Sequence, residues 1–133
     1  MPPSSGGRHI AERGSAVVDF VLVLVVLVPL FLGILQVALV LHVRNTLTSA
    51  ASEGARYAAT VDRPLAAGVQ RTREQISSAV AGRFARGVTA RTVTLEGAPA
   101  VRVTVVADVP PLGLWGPPVR VEVAGHAMEE VEP

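Results

Sequence analysis

RGSAVVDFVLVLVVLVPLFLGILQVALVL, Arg13 to Leu41, decides how the rest of this chain is read. From Phe20 to Leu41 there is no charge and one strongly polar side chain, Gln36. As a helix rising 1.5 Å per residue, that run is about 33 Å long, enough to cross a hydrocarbon core of about 30 Å. It is apolar on every side, so it is not the amphipathic helix of a soluble surface. Pro29 lacks an amide and crowds the preceding turn, which predicts a kink or one loosened turn, with Gly33 a turn later adding to it. A cleavable secretory signal fits poorly. Its apolar core is ~7–15 residues and ends in a small-residue site, whereas the small pair here, Gly14-Ser15, comes before the run. One acid, Asp19, stands where the greasy stretch begins, and a carboxylate in hydrocarbon is costly.

The whole chain has 133 residues, half of them hydrophobic, with a net charge of +1. Once the apolar block is set aside, roughly 70–80 residues remain, a size at which a lone core is marginal. That predicts support from a membrane or from other subunits. The near-neutral balance points to no nucleic acid. Cysteine is absent, which excludes disulfides, thiolate catalysis and Cys-based metal sites.

Outward from the apolar run, the organisation is a polar leader, 1–14, a membrane and stalk helix, 15–60, and a small domain, 61–133. The leader, MPPSSGGRHIAERG, is rich in Pro, Gly and Ser and is expected to be disordered or loosely ordered. Residues 42–60 carry no strong breaker and are dominated by Ala, so the helix continues through them. Small residues recur there every four positions, with Ala50, Gly54 and Ala58 on one row and Ala51, Ala55 and Ala59 on the next. Such rows let a second helix come close. Glu53 and Arg56 are spaced to pair along the helix. Asp62 is the expected N-cap of a second helix, with Pro64 in its first turn. Leu65, Val69, Thr72, Ile76, Val80 and Phe84 mark its buried stripe, and Gly87 its end.

Beyond Gly87 the period changes to two. Val101, Val103 and Val105 alternate with polar residues, as do Val119, Val121 and Val123, and both runs read as half-buried strands. Residues 88–96 form a weaker third strand, joined to the next by a loop at Gly97-Ala98-Pro99-Ala100. Prolines and glycines from Pro110 to Pro118 bracket Leu114 and Trp115 in an ordered loop or edge. The fold class is therefore α+β: a long N-terminal transmembrane helix extended into a stalk, then a small helix and a three-stranded antiparallel sheet.

The acid has a rationale if the chain is cut after Gly14. Ser15 then becomes the first residue, and its new amine is cationic at neutral pH. Asp19 lies one helical turn away, in reach of that amine or of the amine of a neighbouring chain. Such a partner offsets the burial of the carboxylate and sets the stagger between helices. The alternative is an acid at the membrane interface of a helix that is never cut.

The pattern Gly14, Ser15-Ala16-Val17-Val18, Asp19, Phe20 and then a long apolar helix resembles the class III signal of type IV pilins, with Asp19 where Glu is usual. The longer stretch from Glu12 to Ala59 resembles the TadE-like proteins of tight-adherence pilus systems, which are pseudopilins or minor pilins. The likeness includes Arg13-Gly14-Ser15, Pro29 within the helix, and Glu53-Gly54-Ala55-Arg56-Tyr57, its most distinctive part. The resemblance implies a single-pass protein of the cell membrane with its N-terminus cytoplasmic and its small domain outside. It also implies cleavage by a prepilin peptidase between Gly14 and Ser15, and assembly with other pilin-like subunits and the pilus machinery, with a place in a surface fibre. Asp19 and Phe20 would serve subunit pairing, and Ala50, Gly54, Ala55 and Ala58 helix packing. The rival reading is a signal-anchored protein whose outer domain binds a partner or the cell wall without entering a fibre.

Chemistry is otherwise absent from the pattern. His9, His42 and His126 are far apart and lack carboxylates at ligand spacing, so no metal or cofactor is expected. No serine sits in a nucleophile-elbow pattern, and no catalytic constellation is evident. Arg71, Arg73, Arg83, Arg86 and Arg91 are dense enough for anion or headgroup contact, although a solvated helix face is the commoner meaning of such a run.

Overall fold

A computed structural model describes residues 6–60, 62–112 and 116–130. Gly113, Leu114 and Trp115 of the expected loop lie outside the described residues, as do residues 1–5, Val61 and the tail from Val131. Helix α1 spans Gly6–Ala59 and α2 spans Leu65–Ala79. A single 3-10 turn, Gly82–Ala85, then leads into strands β1 (Gly87–Leu95), β2 (Ala98–Val109) and β3 (Val119–Met128). The strands form an antiparallel meander in the order β1-β2-β3. One face of the sheet packs on both helices, so the architecture is the expected α+β arrangement.

The helix begins earlier than the polar leader led us to expect. Residues 6–14 are its first turns rather than loose chain. Between Gly7 and Gly14 the leader has no breaker, and extending a long helix requires no new nucleus. At the other end the helix runs through the Ala-rich stalk to Ala59. There the Glu130 amide donates to the Ala59 carbonyl at 3.0 Å, and Arg56 sits in the last turn. Both suit the negative end of a helix dipole.

The stalk is also the central element of the core. Val43, Leu47, Ala51 and Ala55 are buried together with Ile76 of α2 and Val101, Val103, Val105 and Val123 of the sheet. The valines alternate along β2 and β3 as the period-two pattern requires. Gly125 is where β3 crosses α1, since a Cβ there would collide with the backbone of Ala51 and Ser52.

Three local expectations are corrected. Asp62 does not cap α2. It adopts φ 64° two residues before the flanking Pro64, and no side chain caps the helix. Its left-handed conformation reverses the chain between the two helices, a role that Asp tolerates better than most residues. The second helix ends at Ala79, not near Gly87. Val80 becomes extended, and Phe84 reaches the core from the 3-10 turn instead. Gly87 opens β1, where a Cβ would strike the Val106 carbonyl. Finally, the hairpin turn is Glu96-Gly97, with φ 50° and 83°, and Ala98–Ala100 already belong to β2. Two successive positive φ values match the strand twist, which is why two-residue hairpins adopt them.

Candidate membrane anchor and assembly site

The first half of α1 lies outside the core. From Val17 to Phe31 its large apolar side chains are exposed on every face, Phe20 at 62% and Phe31 at 60%. An apolar surface this long must be covered by lipid or by other helices. The described residues contain one helix long and apolar enough to cross a membrane, this one, and none of its most apolar stretch is covered by the protein itself. This is the mark of a membrane-anchored chain. Pro29 lies inside the helix without ending it and cannot donate to the Val25 carbonyl. Beside it, Leu30, Gly33, Ile34, Val37 and Leu41 line a shallow apolar groove on α1.

The proposed processing residues sit at the start of this segment. Gly14 and Ser15 are helical and exposed, and nothing approaches the position of a Gly14 side chain within 4 Å. Asp19 lies one turn on, about 6 Å along the axis. It is exposed and makes no hydrogen bond or ion pair with any of the described residues. Both Asp19 and Phe20 are exposed among the described residues.

The small-residue rows behave differently. Ala50, Gly54, Ala55 and Ala58 are all buried within the protein. The helix that comes close to them is the chain's own α2. A Cβ on Gly54 would collide with Thr72 Oγ1, and one on Gly68 would come within 2.5 Å of Ala58 Cβ. Thr72 is fully buried, and its hydroxyl donates to the Gly68 carbonyl at 2.8 Å.

The Glu53–Tyr57 motif is built into the same contact. Glu53 does not pair with Arg56 along the helix. Its Oε1 lies 3.8 Å from Nη2 of Arg71 on α2. Tyr57, one turn on, has the Arg63 guanidinium 3.8 Å from its ring centroid and that of Arg71 at 5.9 Å. Gly54 supplies the close approach and Ala55 is buried in the core beside it, while Arg56 is exposed at the helix end. Each of Glu53, Gly54, Ala55 and Tyr57 therefore has a partner inside the fold. Of the arginines flagged by density, Arg71 is held in this cluster and Arg83 lies over Phe84. Arg73, Arg86 and Arg91 are exposed.

Two features escaped the sequence reading. Gln36 reaches the β2–β3 connection through two hydrogen bonds, to Pro110 and Leu112. Arg102 Nε donates to His126 Nε2 at 2.7 Å across the open face of the sheet. The first had a signal, because a lone amide in an apolar run demands a partner. The second depends on strand register, which the pattern did not determine.

Among the described residues no group of three or more His, Asp and Glu side chains is placed to hold a metal ion. Comparison with curated proteins gave no match, and neither did comparison with solved structures. The model of one protein family, described as TadE-like protein, matches residues 14–56. That segment begins at the proposed cleavage glycine and ends within the Glu53–Tyr57 motif, taking in Asp19, Phe20, Pro29 and Gln36. Over these residues, about a third of its length, the chain matches the pilus-related TadE-like family, the one its sequence resembles.

Proposed function

We propose that this chain is a non-enzymatic, pilin-like membrane protein that acts in the assembly of a tight-adherence pilus by packing its apolar helix against those of other pilin-like subunits. The observation that carries this reading is the state of Asp19. It lies one turn beyond the Gly14–Ser15 bond on a bare apolar helix and has no partner among the described residues. Cutting that bond creates a cation within a turn of the carboxylate, and a neighbouring helix brings a second. The leader faces the cytoplasm and the α+β domain lies outside. Because α2 and the sheet occupy the small-residue rows of the stalk, lateral packing falls to the exposed surface between Ser15 and Leu35.

Two measurements test this. The mass of the native N-terminus is expected to begin at Ser15. An intact leader in cells that hold the prepilin peptidase leaves an ordinary anchored domain that binds a partner or the cell wall. Replacing Asp19 by Ala is expected to preserve membrane insertion but weaken co-purification with other pilin-like subunits. Undiminished recovery of those subunits would remove the pairing role.

A further inference from the structure

Gln36 is the one strongly polar side chain between Phe20 and Leu41, and both ends of its amide are taken by a single distant segment. Its Nε2 donates to the Pro110 carbonyl at 3.3 Å, and its Oε1 accepts from the Leu112 amide at 2.8 Å. Between these contacts the chain reads Pro110-Pro111-Leu112. The two prolines have no N–H to satisfy, and the one amide that follows is bonded to Gln36. This short piece of irregular backbone presents almost no free donors. Its Leu112 side chain is 46% exposed.

The position of that clamp conflicts with the simplest placement of the membrane. If hydrocarbon covered Phe20 to Leu41, Gln36 would lie about 7 Å beneath the outer boundary. The clamped loop would lie there too, with irregular backbone facing lipid, which membrane proteins avoid. The buried face of α1 already turns toward the domain at Leu39, Val40 and Val43. Counting back from Gln36, residues 15–35 of helix span about 31 Å, which matches a hydrocarbon core of about 30 Å. Arg13 and Glu12 then fall just outside on the other side.

We propose that Gln36 marks the outer membrane boundary and that the Pro110–Leu112 segment is a foot resting on the phospholipid surface, with Leu112 dipping into the headgroup–acyl boundary. The spanning segment is residues 15–35. The sheet stands away from the bilayer, because Glu129 and Glu130 tie its far end to Pro99 and to Ala59, about 34 Å further along the helix. Asp19 sits about 6 Å inside the inner boundary. Gln36 therefore sets the depth of the helix by fastening the folded domain at one level. The inference concerns the chain's seat in a bilayer and stands whether or not the protein enters a fibre.

The absence of cysteine makes the test direct. Full-length protein is reconstituted in vesicles of phosphatidylethanolamine and phosphatidylglycerol, with one spin label per variant, at Leu112→Cys, Leu41→Cys, Val25→Cys or Thr94→Cys. Collision with oxygen, which concentrates in lipid, is compared with collision with a water-soluble nickel chelate. The Val25 label is expected deep in hydrocarbon and the Thr94 label in water. The Leu112 label is expected between them, with nickel accessibility several-fold below that at Thr94. The Leu41 label, on the helix but above Gln36, is expected on the aqueous side of Leu112. A Leu112 label as open to nickel as Thr94, or a Leu41 label as deep as Val25, overturns the proposal. Adding Gln36→Leu to the Leu112 label is expected to move it toward the aqueous value while Val25 stays deep. Should that variant lose its fold, the two labels on the unaltered background still decide.

Discussion

Gly54 and Gly68 face each other across the two helices with no side chain between them. A Cβ built on Gly68 would stand 2.7 Å from the Gly54 carbonyl oxygen, and one on Gly54 would stand 2.8 Å from the Gly68 carbonyl oxygen. The stalk and α2 touch backbone to backbone at this point. Glu53 and Tyr57 stand one residue before and one turn after it, and close the contact with Arg71 and Arg63.

Adding one methyl at either glycine is therefore expected to push the helices apart. Gly54→Ala and Gly68→Ala should each destabilise the protein by about 1–3 kcal/mol, the usual range for overpacking a tight contact. The double variant should fall short of the sum, because once the first methyl has pushed the helices apart the second meets a contact already opened. Gly33→Ala is the control. Nothing lies within 4 Å of its Cβ position, and Ala in a helix is favoured over Gly by about 0.5–1 kcal/mol. Thermal unfolding in detergent, followed by circular dichroism, separates the two classes.

The Glu53–Tyr57 motif separates into a stacking part and an ionic part. The Glu53–Arg71 pair is 3.8 Å long and 43% exposed at each side chain, so Glu53→Gln is expected to lose less than about 1 kcal/mol. Tyr57 carries a guanidinium over its ring as well as apolar area. Tyr57→Ala is expected to lose about 1–2 kcal/mol, while Tyr57→Phe keeps most of it. Raising the salt should erase the small Glu53 effect and leave the Tyr57 effect. Equal losses for the two truncations would assign the motif to charge instead.

Much of this was legible in the residues, and the misses share a cause. The apolar run, the stripe through Thr72 and Ile76 and the valine alternation are periodic, and periodicity reports which face is buried. It does not report what buries it. The rows at Ala50 and Ala51 announce a close helix, but not that the helix is α2, because the path of the chain between Gly54 and Gly68 is invisible to a local pattern. Spacing pairs Glu53 with Arg56 for the same reason, since the nearer residue in sequence is not the one it meets in space, Arg71. Asp62 and Glu96 depart from the cap and strand expected of them because their backbones take positive φ, a state that side-chain type only weakly signals. Asp19 and Gln36 are both legible as polar groups at or in an apolar run that need a partner, but the partners of Gln36, at Pro110 and Leu112, lie 74 and 76 residues away in sequence.

The hairpin turn offers a stabilising change. Glu96 holds φ 50° next to Gly97 at φ 83°, and Asn tolerates the left-handed region better than Glu. Glu96→Asn is expected to raise stability by about 0.5–1 kcal/mol, in line with other backbone-compatible replacements. Gly97→Val should lower it by more than that, because a β-branched residue at positive φ is strained. Melting of the two variants against the parent gives both signs in one experiment.

The boundary of the folding unit is the sharpest consequence of the core. A fragment from Val61 onward holds all three strands and α2, yet it lacks Val43, Leu47, Ala51 and Ala55, which lie among its buried valines. Without them Val101, Val103 and Val123 lose the surface they pack on, and the remaining chain is too short to replace it. That fragment is expected to show no cooperative melt. A fragment beginning at Ala38 restores the four stalk residues while leaving out the bare apolar helix, and it is expected to unfold in one cooperative transition. It also keeps the Glu130 amide on the Ala59 carbonyl, so its stalk end stays capped. If the shorter fragment folds as well as the longer one, the stalk is a tether and not part of the core.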